Sequence, residues 1–137
     1  MGQNGIIISF DKKEIKAREE LEGVIKINYP GRFDSVVINS QIENTSEIFS
    51  FIKLNDKKIN YAYARMPILR HDIEDPNEIK FTVITEHVPQ VNSNVKFRAS
   101  IIQEHKEVAN DVAFLKIVPW AVNANIQQIL IMKFVES

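Results

Sequence analysis

Residues 6–43, IIISFDKKEIKAREELEGVIKINYPGRFDSVVINSQIE, decide the fold, because they read as three short strands joined by two polar connections. In the middle strand Leu21, Gly23, Ile25, Ile27 and Tyr29 share one face, while Glu22, Lys26 and Asn28 share the other. That alternation is period two, the pattern of a half-buried strand. Gly23 leaves a side chain out of an otherwise apolar row, which marks a bend or a close approach. Pro30-Gly31 makes the turn out of this strand, through the fixed φ of proline and the permissive φ of glycine. Val36, Ile38, Ser40 and Ile42 then alternate with Val37, Asn39, Gln41 and Glu43 as a third strand.

Further along the chain the same period recurs. Phe49 and Phe51 alternate with Ile48, Ser50 and Ile52, and the turn signal Asn55-Asp56-Lys57 makes residues 48–54 and 59–64 a hairpin. Pro67 is expected to end its second arm, and residues 68–78, which contain Asp75-Pro76-Asn77, form the longest connection and the one best placed for function. Strands follow at 79–83, 95–101, 112–118 and 129–135. No i, i+3, i+4, i+7 stripe persists for three turns, so no substantial helix is expected. Eight or nine strands at this spacing predict an all-β, immunoglobulin-like antiparallel β-sandwich. Its 137 residues suit one domain spanning 1–137, with residues 119–137 as an extra or exchanged C-terminal strand.

Composition narrows the function. With no cysteine, disulfides and thiolate metal sites are excluded and a reducing, cytoplasmic setting is expected. Seventeen basic and eighteen acidic residues give a formal net charge of -1 with no block of like charge, so neither a nucleic-acid surface nor a general anionic-membrane surface is indicated. The apolar runs fall far short of the ~20 residues needed to cross a bilayer. No secretory signal is expected from the first residues either.

Two blocks, ISFDKKEIKAREELEGVIKINYP (8–30) and EIKFTVITEHVPQVNSNVKFRASIIQ (78–103), together resemble the N-terminal type of arrestin domain. The first matches a strand, a polar connection carrying an acid, and a strand with glycine amid apolar residues. The second matches an apolar strand, a proline-containing loop and a strand of alternating aromatic and aliphatic residues. What the resemblance implies is a non-enzymatic adaptor or scaffold that binds protein partners, in a group that also includes the curved subunit of retromer and microbial sporulation-control proteins. The chain departs from that group in having room for one sandwich instead of two and in lacking proline-tyrosine motifs.

Chemistry-bearing residues are sparse. His71-Asp72, Glu86-His87 and Glu104-His105 pair histidine with carboxylate, which invites a metal-dependent hydrolase as an alternative, but neighbours on a strand point to opposite faces and all three pairs fall near expected loops. There is no nucleophile elbow and no phosphate-cradling glycine loop, so an enzyme is not expected and no cofactor is implied. Phe49, Phe51, Tyr61 and Tyr63, with lysines between them, offer a stacking surface for single strands, against the ordinary reading of core and cross-strand pairs. A C2-like peripheral membrane module is a further alternative, for which Asp72, Asp75 and Asp111 are few and scattered. For partner binding, Met66, Pro67, Ile68 and Leu69 place apolar residues at the mouth of the longest loop. The tail supplies the other set, Trp120, Ile129, Ile131 and Met132: IQQILIMKFV is apolar on both faces, which suits a homodimer through Gln127 to Val135 by edge pairing.

Overall fold

The computed structural model describes residues 5–75 and 77–119. Its strands are β1 (Ile6–Phe10), β2 (Glu14–Ile15), β3 (Leu21–Ile27), β4 (Ser35–Ile42), β5 (Phe49–Leu54), β6 (Lys57–Tyr61), β7 (Arg65–Leu69), β8 (Glu78–Thr85), β9 (Ser93–Gln103) and β10 (Lys106–Ile117). One sheet runs β1-β3-β8-β5-β6 and the other β2-β10-β9-β4-β7. The pairings are antiparallel except β2 with β10, where Lys116 and Ile117 lie parallel to Glu14 and Ile15. The architecture is thus the expected all-β sandwich, and the helical content among the described residues is a single 3-10 turn at Arg70–Asp72.

Each half of the core comes from period-two alternation. On β3 the inward residues Leu21, Gly23, Ile25 and Ile27 are buried and the residues between them are not. Ile79, Phe81 and Val83 of β8 fill the same face, and Val95, Phe97, Ala99 and Ile101 of β9 face them from the second sheet. At the centre is a phenylalanine cluster that joins the sheets: Phe97 lies 4.7 Å from Phe10 and 5.1 Å from Phe49 between ring centroids. Phe81 stands edge-on to Phe10 at 5.7 Å. Gly23 marks a close approach: a Cβ there would lie 2.3 Å from Cζ of Phe81 and 2.8 Å from Cε1 of Phe10. The missing side chain is what allows the two rings to meet over β3.

Three expectations need correction. The chain forms ten strands among the described residues where eight or nine were expected. One addition is β2, made because the chain leaves β1 and crosses to the other sheet; Lys116 N–H donates to Lys13 O at 3.0 Å and Val118 N–H to Ile15 O at 2.8 Å. So short a segment carries no periodic signal. The second addition is β7. Pro67 was expected to end a strand and instead lies inside one, opposite Val37 of β4. Arg70 N–H donates to Asp34 O at 2.8 Å and Ser40 N–H to Ala64 O at 2.9 Å, so even-numbered residues of β7 exchange bonds with β4. The nitrogen of Pro67 therefore points away from β4, and proline removes no ladder bond there. β7 also shortens the longest connection to the residues between Leu69 and Glu78.

The third correction concerns β9 and β10, which extend until they meet in a two-residue turn. Glu104 (φ 52°) and His105 (φ 68°) both occupy the left-handed region, the requirement of the type I′ hairpin turn. Neither residue belongs to the usual Asn-Gly vocabulary, which is why a loop was expected there. The Asp34 carboxylate holds the turn by accepting from Glu104 N–H at 2.7 Å. For the hairpin aromatics the ordinary reading holds: Phe49 and Phe51 are wholly buried and Phe51 lies 6.3 Å from Tyr61 between ring centroids, so the four do not form one stacking face. Only Tyr61 and Tyr63 remain near the surface, 5.1 Å apart.

Candidate functional site

The apolar quartet at 66–69 divides by strand parity. Met66 (6% exposed) and Ile68 (4%) point into the core, because they occupy the inward positions of β7, whereas Pro67 and Leu69 (50% exposed) face solvent. A four-residue docking patch is therefore replaced by two outward residues. Trp120, Ile129, Ile131 and Met132, and with them the homodimer through Gln127 to Val135, lie outside the described residues.

Exposed sheet edges are where partner strands add, and the edges seen here carry features that oppose it. β6 is short and begins with Lys57 and Lys58, and β7 turns the nitrogen of Pro67 outward. On the other side, the outward N–H of Ile8 in β1 donates to Oδ2 of Asp111 in β10 at 3.0 Å. A side chain of one sheet thus occupies the free backbone donor of the other. β10 also bulges between Glu107 and Ala109. Glu107 anchors a polar network on the outer face: Arg98 pairs with Oε2, Ser100 Oγ donates to Oε1 at 2.9 Å and Asn110 Nδ2 donates to Oε2 at 2.9 Å. Burial by itself raises the pKa of the Glu107 carboxyl, but the hydrogen bonds from Arg98, Ser100 and Asn110 and the Arg98 charge outweigh it and hold the group below its ordinary value.

Three of the recesses adjoin one another at one end of the sandwich, around the β7–β8 connection, while others of about 370 and 320 Å³ lie between β1 and β10 and on the outer face of β4 and β9. Ile73, 4% exposed, pins this connection to the core. Arg70 N–H is bonded to Asp34 O, and Asn77 O accepts from Ile27 N–H at 2.9 Å. Three clefts open along it. The first, about 410 Å³, is lined by Leu54, Lys57 and Pro67 on one side and His71, Asp72 and Glu74 on the other. The second, about 450 Å³, has buried Ile27 in its floor, Tyr29, Gly31 and Phe33 in its wall, and Arg32, Arg70 and Asn77 at its rim. The third, about 200 Å³, is mainly acidic, with Asp56, Glu74, Asp75 and Glu78 beside Asn55 and Lys80.

Local structure fixes the second cleft. Gly5 (φ 118°) and Gly31 hold Tyr29 between them: a Cβ on Gly5 would lie 3.1 Å from Tyr29 Cδ1, and one on Gly31 would lie 3.0 Å from its Cε2. The Arg70 guanidinium lies over the Phe33 ring, 5.3 Å from its centroid. Sequence reasoning missed this site because the arginines are singletons in different connections. The one legible signal was the Pro-Gly turn that precedes Arg32.

The histidine-acid pairs do not converge. His71 Nε2 lies 3.6 Å from Asp72 Oδ1 on the 3-10 turn, His105 sits in the β9–β10 turn at the same end, and His87 follows β8 at the opposite end. Among the described residues no three His, Asp or Glu side chains are grouped to hold a metal ion, the acidic cleft included. Of the three aspartates weighed for calcium, Asp72 and Asp75 share the β7–β8 connection, while Asp111 is elsewhere, bonded to Ile8 of β1.

No protein-family model matches the chain, and no curated protein matches it in sequence. In three dimensions it is similar to the crystal structure of the human F-spondin reeler domain, at 13% identity and a TM-score of 0.55, over 85% of this chain and 91% of that one. The Salmonella SafD adhesin is similar at 12% identity and a TM-score of 0.50, over 85% of this chain and 99% of that one. A mutant of the CFA/I enterotoxigenic E. coli adhesin CfaE matches at 10% identity and a TM-score of 0.53, over 84% of this chain and 48% of that one. At such identities the likeness is one of fold: a two-sheet β-sandwich.

Proposed function

We propose that the chain is a non-enzymatic binding module that engages a protein partner at the end of the sandwich formed by residues 28–34, the β7–β8 connection and the Glu104-His105 turn. The observation that carries this is the convergence of three clefts along Arg70–Glu78, a connection fixed at Arg70, Ile73 and Asn77. A rigid loop surface on a β-scaffold suits recognition, because little ordering entropy is lost when a partner docks. Two of the similar sandwiches are named adhesins, which is the same broad class of work. The resemblance of residues 8–30 and 78–103 to arrestin domains supports the finer reading, an adaptor, and the lack of cysteine fits a cytoplasmic location. Because the edges of β6 and β7 are blunted and Asp111 occupies the Ile8 donor, docking onto loops is favoured over strand addition.

The test is partner capture by the wild-type chain and by two charge reversals of matched thermal stability. Arg70→Glu lies at the loop end and Lys96→Glu on the outer face of β9. Loss with Arg70→Glu alone is the expected result. Capture that survives Arg70→Glu and fails with Lys96→Glu would move the interface to the sheet face.

A further inference from the structure

We infer that the cleft rimmed by Arg32, Arg70 and Asn77 is an oxyanion site, built to take a phosphate or carboxylate group. The inference rests on the loop-end reading only for what carries that group, a side chain of the protein partner.

Donor chemistry leads to this assignment. Arg32 and Arg70 line one cleft, and neither is paired with a carboxylate among the described residues. The acid nearest Arg32 in sequence, Asp34, is already engaged, its Oδ2 accepting from Glu104 N–H and its backbone oxygen from Arg70 N–H; the acid nearest Arg70, Asp72, lies 3.6 Å from His71 Nε2 and lines the first cleft, not this one. The guanidinium of Arg70 lies over the Phe33 ring at 5.3 Å, a contact that uses no N–H donor of its fork, and such a fork matches a planar, two-oxygen ligand. Tyr29 and Asn77, whose side chains carry neutral donors, line the same recess. The remaining lining, Ile27, Gly31 and Phe33, carries no negative charge.

Preorganisation is the second strand of the argument. Tyr29 is lodged between Gly5 and Gly31, so a side chain at either position would displace the ring that walls the cleft. Arg70 is fixed at its backbone by Asp34 and at its head by Phe33. A volume of about 450 Å³ admits an oxyanion together with the side chain that bears it. Two arginines held in this way bind an anion with little loss of side-chain freedom.

The experiment uses the full chain labelled with nitrogen-15, titrated with inorganic phosphate and separately with glutarate, at an ionic strength held constant with sodium chloride. The expected result is saturable shifts at the Nε–H of Arg32 and Arg70 and the side-chain amide of Asn77, with half-saturation at about 1–10 mM, the range of a small ion held by two charged donors. Arg32→Gln and Arg70→Gln, both at exposed positions, should each weaken binding about tenfold while the chain stays folded, Arg70→Gln lowering Tm slightly through loss of the Phe33 contact. Tighter phosphate binding identifies a phosphorylated side chain as the source, and tighter glutarate binding an acidic one. Non-saturating shifts with both ions, or saturation unchanged in both variants, would overturn the site. If neither ion saturates the cleft while Arg70→Glu still abolishes partner capture, the oxyanion assignment alone falls. If an ion saturates it while capture is insensitive to Arg70→Glu, the partner reading alone falls.

Discussion

Replacing Gly23 by alanine tests the packing that holds the two sheets together. The added Cβ would lie 2.3 Å from Cζ and 2.7 Å from Cε1 of Phe81, and 2.8 Å from Cε1 of Phe10. An ordinary carbon–carbon contact is about 3.5 Å, so the Phe81 ring must retreat by roughly an ångström. It has little room to do so, since Phe51 lies 5.9 Å and Phe97 6.5 Å away between ring centroids, and the ring is wholly buried. Overpacking of this kind costs about 1–3 kcal/mol. Against it stands about 0.5–1 kcal/mol gained when alanine replaces glycine inside a strand. The net expectation is a loss of about 1–2 kcal/mol, which lowers Tm by about 4–8 °C for a domain of this size. The assay is thermal unfolding of four proteins: wild type, Gly23→Ala, Phe81→Leu and the double variant. If the clash with Phe81 is the cause, Gly23→Ala is close to neutral when Leu occupies position 81, and the coupling between the sites is about 1–2 kcal/mol. An unchanged Tm for Gly23→Ala would refute the close approach as the reason for this glycine, and an equal drop on both backgrounds would refute Phe81 as its cause, leaving the 2.8 Å approach of Phe10.

Other features make further predictions. The two left-handed residues of the β9–β10 turn carry avoidable strain, so Glu104→Asn combined with His105→Gly should stabilise the chain by about 1–2 kcal/mol in denaturant unfolding; no gain would mean that the side chains removed contribute more than the backbone regains. Glu107 has a depressed folded-state pKa, so its contribution is complete above its unfolded pKa of about 4.3 and is lost as pH falls through the lower folded value. Glu107→Gln should therefore lower Tm at pH 7 and show a shallower fall in Tm from pH 5 to pH 3 than the wild type; parallel pH profiles would remove Glu107 from the acid response. Pro67→Val restores an outward N–H on β7, and light scattering at matched concentration should show more self-association than the wild type; identical mass distributions would mean that proline is not what protects this edge.

Much of the fold is legible in local pattern. Alternation along β3, β4, β8 and β9 says which residues face inward, because a pleated strand sends successive side chains to opposite faces whatever its partner is. The gap in that pattern at Gly23 also announces a close approach before the approaching ring is known. The sequence by itself thus determines an all-β sandwich, the identity of most of its core and the lack of thiol chemistry. Tertiary structure decided the rest, for reasons of register. Pro67 fits inside β7 only because pairing with β4 turns its nitrogen outward, and the parity of one residue cannot be read until its partner strand is known. Glu104 and His105 adopt left-handed conformations because β9 and β10 pair along their length on either side, with long-range pairing overriding local preference. Arg32 and Arg70 share a cleft because the bond from Arg70 N–H to Asp34 O brings their two connections together. A binding site assembled from separate loops has no local period to reveal it, so it becomes visible only when the sheets that carry those loops are in place.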